Sequence, residues 1–295
     1  MDVIFHDSGQ RGNTSRQRAA TRKLSPNTRD DGRPMIILMH SSKTMRVPVL
    51  GRRPSGVPAL LDQAEELIGY LRTLTPAQLS RIMTISAELA ARTKEQYAAW
   101  NTDPDHQTPA AETFVGDIYS GLQVDSFSAA DRRYADAHVR ILSGLYGIVR
   151  PFDGISPYRL EMGYRLPPGK YSSLPKFWGS AIANELPERG RVVNLAAGEY
   201  STLVTKHIDA DRVVTPKFLT VDPTSKQPKF VVVHAKIARG GFARWLITQR
   251  VKDTDAAIRS FDDIGYAYSE ELSARGQPAF VCHEFGGKGL SVRLN

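Results

Sequence analysis

Met35-Ile36-Ile37-Leu38-Met39-His40-Ser41-Ser42-Lys43-Thr44 sets an apolar run directly against a polar one. Ile36 to His40 is short and nearly continuous in its apolar character. Such a run reads as a strand buried on both faces. It stops at Ser41-Ser42-Lys43-Thr44, so the strand delivers a polar loop at its carboxyl end. Val192 to Leu195 repeats the pattern. It runs into Ala196-Ala197-Gly198 and then a helix predicted from Glu199. Two buried strands, one ending in a polar loop and the other in a small-residue turn, separated by helical sequence, are the mark of an α/β chain.

The intervening sequence supplies the helices. In Pro58 to Leu74 the residues Leu60, Leu61, Ala64, Leu67, Ile68 and Leu71 share one face. Thr75-Pro76 is a helix start, with threonine as N-cap and proline at the first helical position. Ala87 to Trp100 continues as helix, and Asn101 to Thr108 reads as an exposed loop. Phe114 to Leu122 fits either a strand end or a short helix. Ser128-Ala129-Ala130-Asp131 opens a helix predicted to reach Leu142, and Leu145 to Val149 is strand-like. Leu174 to Leu186 is helical, with Pro175 in its first turn. Strands are expected at Val213–Val221 and Phe230–His234, a helix at Lys236–Arg250, and strands near Tyr266 and Phe280. The expected fold is α/β (α+β-like): a single globular domain with a mixed central sheet surrounded by helices. No internal repeat is present, and no composition shift after residue 35 marks a second domain.

A length of 295 residues with 41% hydrophobic content supports a substantial core. The single cysteine, Cys282, excludes an internal disulfide framework and a cysteine-rich zinc site. No apolar run approaches the roughly 18 residues that span a bilayer. The formal charge of +8 suits nucleic acid or a phosphorylated small molecule, and equally a generic basic surface. Residues 1–34 are Arg-, Ser- and Gly-containing, without apolar periodicity or the apolar core of a secretory signal. They read as a disordered or mis-started extension, with the domain proper at 35–295.

Several constellations bear on function. Lys236 and Arg239 lie three apart at the predicted start of a helix, on one face. A helix N-terminus carries partial positive charge, so two cations there are in conflict unless an anion sits between them. The alternative is an ion pair with a buried acid such as Glu161 or Glu199. Asn194, Glu199 and Tyr200 flank a small-residue turn at a strand's carboxyl end, where α/β folds bind ligands. Ser41, Lys43 and Thr44 occupy the equivalent loop of the first strand; lysine suits an oxyanion and the hydroxyls supply donors. Arg159 and Glu161 alternate, so an extended backbone places them on one face. Glu199, Glu161 and Lys43 are the candidates for proton transfer, and Asp117 with Glu161 is a conceivable carboxylate pair. Neither G-x-G-x-x-G nor a Walker loop occurs, and the histidines show no metal-ligand spacing, so the reading names no cofactor and no metal.

Arg140-Ile141-Leu142-Ser143-Gly144-Leu145-Tyr146-Gly147-Ile148-Val149-Arg150-Pro151 mixes glycine, aromatic and charged residues in a way that packing alone does not demand. It is similar to the glycine hairpin of helix-hairpin-helix DNA binders, which present backbone amides to phosphates without reading bases. On that reading Arg140, Ser143, Gly144, Tyr146, Gly147 and Arg150 would contact duplex DNA. The other reading is a tight turn with glycine at a helix C-cap.

With Pro157-Tyr158-Arg159-Leu160-Glu161-Met162-Gly163, this stretch resembles the signature of the YaaA family, bacterial peroxide-stress proteins. The opening strand and Ser41-Ser42-Lys43-Thr44 resemble the family's first strand and S-P-A-K-T loop, with one residue fewer here. Gly116-Asp117-Ile118-Tyr119-Ser120-Gly121-Leu122 resembles G-D-V-Y-T-G-L. Val193 to Tyr200 resembles I-N-L-A-S-x-E-Y, and Ala235 to Gly240 resembles A-K-x-A-R-G. The similarity extends from Met35 to about Phe280. The resemblance implies a cytoplasmic protein that protects against hydrogen peroxide, limits free iron and binds duplex DNA. The residues themselves leave open an enzyme acting on a small anionic, phosphorylated or nucleobase-like molecule, and a binding scaffold without chemistry.

Overall fold

Ile36–His40 is a strand, and every residue in it is buried. A computed structural model of the chain describes residues 35–46, 53–251, 253 and 255–283. The reading of residues 1–34 lies outside them. The Ile36–His40 strand is the middle one of five. Val139–Ser143 pairs parallel on one side and returns as the antiparallel strand Gly147–Val149. Val192–Asn194 and then Val213–Val214 pair parallel on the other side. Side chains on both faces of the central strand are buried, which is why its sequence does not alternate.

A second, four-stranded sheet runs in the order Pro228–Lys229, Lys217–Val221, Gln277–Cys282, Tyr266–Ala274. The strand expected over Val213–Val221 is therefore two strands in two sheets. Pro216 lies between them and has no N–H to give to a ladder, so the chain leaves one sheet there and enters the other. Both sheets are mixed, in accord with the α/β, single-domain expectation.

The helices at Leu61–Leu71, Pro76–Met83 and Ala87–Ala99 form where the periodicity places them. Thr75 is the N-cap, and it forms a reciprocal capping box with Gln78. Phe114–Leu122 turns out to hold both alternatives, a two-residue strand at Phe114–Val115 and a helix at Asp117–Leu122. Gly116, at φ 140, makes the change of direction. The Leu174–Leu186 helix is broken into Leu174–Trp178 and Ala181–Asn184 by Gly179. Among the described residues no helix is long and apolar enough to cross a membrane.

Two boundaries differ from expectation in ways that matter for function. The helix from Ala129 ends at His138 rather than Leu142, and Val139–Ser143 is a buried strand. Pairing with the central strand outweighs the local helical pattern. Ser143 to Gly147 is consequently the turn of a β-hairpin, not part of a helix-hairpin-helix. Ser143, Gly144, Tyr146 and Gly147 are all buried. A Cβ on Gly144 would stand 2.4 Å from the Leu160 carbonyl oxygen, and one on Gly147 would stand 2.9 Å from the Trp178 ring. Core packing does demand these glycines. Tyr146 accepts hydrogen bonds from Trp100 Nε1 at 2.7 Å and from the Ser156 amide at 2.9 Å. Arg140 folds back onto the carbonyls of Asp136 and Val139. Of the six residues read as DNA contacts, only Arg150 is exposed. The phosphate-presenting hairpin is thus corrected to an internal turn.

The second boundary concerns the long helix, which spans Val232–Thr248. The sequence places a strand at Phe230–His234, but the pairing beside Lys217–Val221 is taken by Pro228–Lys229 and the helix opens at Val232. The helix packs on Asp117–Leu122 at backbone contact. A Cβ on Gly240 would lie 1.9 Å from the Ile118 carbonyl oxygen, and one on Gly121 would lie 2.1 Å from that of Ile237. On its other side Phe242 packs against Phe218, Phe261 and Phe280, joining the helix to the second sheet.

Candidate functional site

His40 and Ser41 leave the carboxyl end of the central strand, and both are buried. Their surroundings include the Asp117–Leu122 helix, the Pro157–Gly163 segment, the Gly198–Thr205 helix and the Val232–Thr248 helix. The Ser41 side chain lies beside the hydroxyls of Tyr158 and Tyr200. Tyr158 also meets Ser143 Oγ at 2.6 Å. Burial holds the Tyr158 phenol up at about 12, so this chain of hydroxyls stays protonated. Tyr119 donates to the His40 carbonyl at 2.9 Å.

The imidazole of His40 accepts the Ala197 amide on Nδ1 at 3.3 Å and lies 5.3 Å from the Tyr200 ring, centroid to centroid. Burial lowers its pKa to about 3, with added repulsion from Arg239 and Lys236. It is therefore neutral at physiological pH, and the Ala197 bond places its proton on Nε2.

Lys236 and Arg239 share a face of the long helix, as their spacing requires. The helix starts four residues earlier than expected, so they stand in its second turn and not at its positive end. The dipole argument for an anion loses force accordingly. A different argument replaces it. Neither cation has a carboxylate within ion-pair distance or a hydrogen-bond acceptor among the described residues. The expected alternative, pairing with Glu161 or Glu199, is not found. Glu161 is bound to Lys43 at 2.8 Å instead. Arg239 is half-buried, and burial lowers its pKa. A half-buried guanidinium without a partner is costly and favours an incoming anion.

Lys43, Glu161 and Glu199 complete the cluster. Arg159 donates to the Lys43 carbonyl at 3.1 Å and fixes the loop, while its Nε is buried without a hydrogen-bond partner. The Glu199 carboxylate lies against Gly163, where a Cβ would stand 2.7 Å from Oε2. Its pKa is raised, first by burial and then by the charge of Glu161, against the pull of Lys43 and Lys236. Burial and the same Glu161 charge push the Tyr164 phenol up to about 12.

Ser41, Lys43, Arg159, Glu161, Glu199, Tyr200, Lys236 and Arg239 are thus close enough to bond to one another or to feel one another's charge. Two sequence candidates stand apart. Thr44 is exposed, and its strand pairs with Val115. Asn194 donates to Thr215 Oγ1 at 3.3 Å, accepts the Ala196 amide at 3.1 Å, and lines a separate cleft of about 650 Å³ with Arg191 and Gln277. Tyr119 reads in the sequence as a residue that approaches the Arg159 and Glu161 region, whereas His40, Tyr158 and Gly163 are not among the candidates. His40 ends a predicted strand, and that position was the signal available for it. Among the described residues no group of three His, Cys, Asp or Glu could hold a metal ion.

Residues 35–272 match the protein family described as Peroxide stress protein YaaA. A UPF0246 protein of Salinispora tropica is 57% identical over 259 residues, covering 88% of this chain and 98% of its own length. UPF0246 proteins of Shewanella denitrificans and Shewanella piezotolerans are 41% and 36% identical, each over 85% of this chain and 99% and 100% of their own lengths. The match takes in every segment that builds the site, from the His40 loop to the long helix. This chain belongs to the peroxide stress protein YaaA family.

Proposed function

We propose that this protein serves the peroxide-stress response in the cytoplasm by holding duplex DNA nonspecifically through its phosphates, and that covering DNA limits damage from free iron. One observation carries the reading: Lys236 and Arg239 stand one helical turn apart with no acidic partner among the described residues, in a chain of net charge +8. The phosphate grip moves from the buried glycine hairpin to this pair. The test is fluorescence anisotropy with a short duplex at two salt concentrations. Affinity is expected to fall steeply with salt through counterion release. Lys236→Gln and Arg239→Gln should each weaken binding and reduce the salt slope by about 1. Binding that ignores salt, or no binding, would overturn the reading.

A second reading has its own support in Glu199. A carboxyl with a raised pKa, beside a Lys43–Glu161 pair and two cations without an acidic partner among the described residues, suits proton transfer on a small phosphorylated or nucleobase-like molecule. Under it Lys236 and Arg239 hold the anion, and Glu199 or Glu161 moves the proton. A thermal-shift screen of nucleotides, nucleobases and phosphosugars would find the ligand. Turnover unaffected by both Glu199→Gln and Glu161→Gln would remove this assignment.

A further inference from the structure

His40 holds one polar atom that the cluster leaves in reserve. Its Nδ1 accepts the Ala197 amide at 3.3 Å. Ala197 is the N-cap of the Gly198–Thr205 helix, whose positive end disfavours a charged imidazole. The proton is therefore on Nε2, and Nε2 makes no hydrogen bond among the described residues. Nor is it sealed in the core, for the side-chain atoms buried there without a partner belong to Asp136, Arg159 and Asp253. With His40 8% exposed, its Nε2–H keeps a narrow opening to solvent. This imidazole cannot act as a base toward the adjacent Ser41, because its free nitrogen already carries the proton. Burial and the charges of Arg239 and Lys236 keep a second proton off the ring down to about pH 3.

A neutral N–H held in place by the fold is suited to donate to an oxygen that gains negative charge. The groups around it fit that task. Lys236 acts on both His40 and Glu199, so the imidazole, the ammonium and the carboxyl border one space. Of the two acids, Glu161 is committed to Lys43 at 2.8 Å. Glu199 is exposed and has no cation at ion-pair distance among the described residues. Resting on the second reading above, in which Lys236 and Arg239 hold an anion, we propose that this site takes a phosphorylated hydroxy-aldehyde or hydroxy-ketone and moves a proton on the carbon beside its carbonyl. The Glu199 carboxylate removes that proton. The C–H electron pair forms a C=C bond, and the carbonyl π pair moves onto oxygen, where the His40 Nε2–H donates to it. Lys236 and Arg239 grip the phosphate. Return of the proton to the same carbon restores the substrate. Delivery to the neighbouring carbon, with the hydroxyl proton passing between the two oxygens, gives the isomeric carbonyl compound. No co-reactant is consumed.

The experiment uses the full chain and two ligands: phosphoglycolohydroxamate, a stable mimic of the enediolate, and glycerol phosphate, which has the phosphate but no carbonyl. In titration calorimetry the hydroxamate is expected to bind about a hundred-fold tighter. His40→Ala should remove that advantage and leave glycerol phosphate affinity in place, which also reports an intact fold. His40→Gln, whose side-chain amide keeps a donor, should retain part of it. In deuterated water, dihydroxyacetone phosphate, a pentose phosphate and a hexose phosphate are then followed by proton NMR. At least one is expected to lose the hydrogen beside its carbonyl, about a hundred-fold more slowly in His40→Ala and not at all in Glu199→Gln. Equal affinity for the two ligands, exchange with none of the three sugars, or exchange that survives Glu199→Gln overturns this inference. If glycerol phosphate still binds in that case and Arg239→Gln weakens it, the anion-holding reading stands without it. If neither ligand binds, the two fall together.

Discussion

His40 shows how far one position can be altered by residues remote in sequence. Its folded pKa of about 3 lies below the ordinary 6.5 because the ring is buried and faces Arg239 and Lys236. The unfolded chain therefore binds a proton here that the folded chain refuses between about pH 6.5 and 3. Stability from this group is fully present above pH 6.5 and drains away as pH falls through that window. Urea midpoints taken across it should fall less steeply in His40→Asn than in the parent. Removing a neighbouring charge gives an independent check. Arg239→Gln should move the His40 ring titration upward, read by NMR, while burial keeps it below 6.5. Asp153 has the opposite sign. Burial raises its carboxyl from 3.8 to about 6, so it stabilises the fold at low pH and that contribution is lost as pH rises from about 4 to 6. Asp153→Asn should accordingly flatten the profile on its upper side, in the same urea series.

At the scale of elements, the contact between the Val232–Thr248 and Asp117–Leu122 helices decides where the cations stand. Gly240 follows Arg239 directly, and its missing side chain lets the two helices touch backbone to backbone. Gly240→Ala should cost about 1–3 kcal/mol or more, measured by denaturant unfolding, because neither backbone can yield without moving a whole helix. Loss of DNA binding in the same variant would show that the approach also sets the site. The start of the Pro76–Met83 helix offers a contrasting case. Thr75→Ala should cost about 1 kcal/mol, since it deletes one side of a capping box and disturbs nothing else. Its cap was legible from four adjacent residues because capping is a local interaction. The end of the helix at His138 was not, because the competitor for Val139–Ser143 is a strand about a hundred residues earlier in the chain. Nor was the start of the long helix, where two valines favour a strand until Pro228–Lys229 takes the place beside Lys217–Val221.

Over the whole molecule the net charge of +8 is a long-range property that needs no site to act. It predicts faster association with DNA at low salt than at high salt, measurable by stopped-flow mixing, even for variants that lack Lys236 and Arg239. The specific pair should show instead in the dissociation rate. If Arg239→Gln changes only the association rate, its guanidinium is one more surface charge and not a grip.

Buried strands, amphipathic helices and caps were readable in the sequence because they depend on residues a few positions apart. So was the cluster's membership: Ser41, Lys43, Arg159, Glu161, Glu199, Tyr200, Lys236 and Arg239 were all recognisable by residue type beside predicted strand ends. Their pairing was settled only in three dimensions. Glu161 is taken by Lys43, Asn194 turns to Thr215, and Lys236 and Arg239 have no acid beside them among the described residues. The glycine hairpin shows the same division. Its composition suggests an exposed phosphate cradle, while the space left by Leu160 and Trp178 makes it part of the core. Residue type and spacing carry local geometry, but partners separated by a hundred residues are chosen by packing, and packing decides which charges are spent and which remain for a ligand.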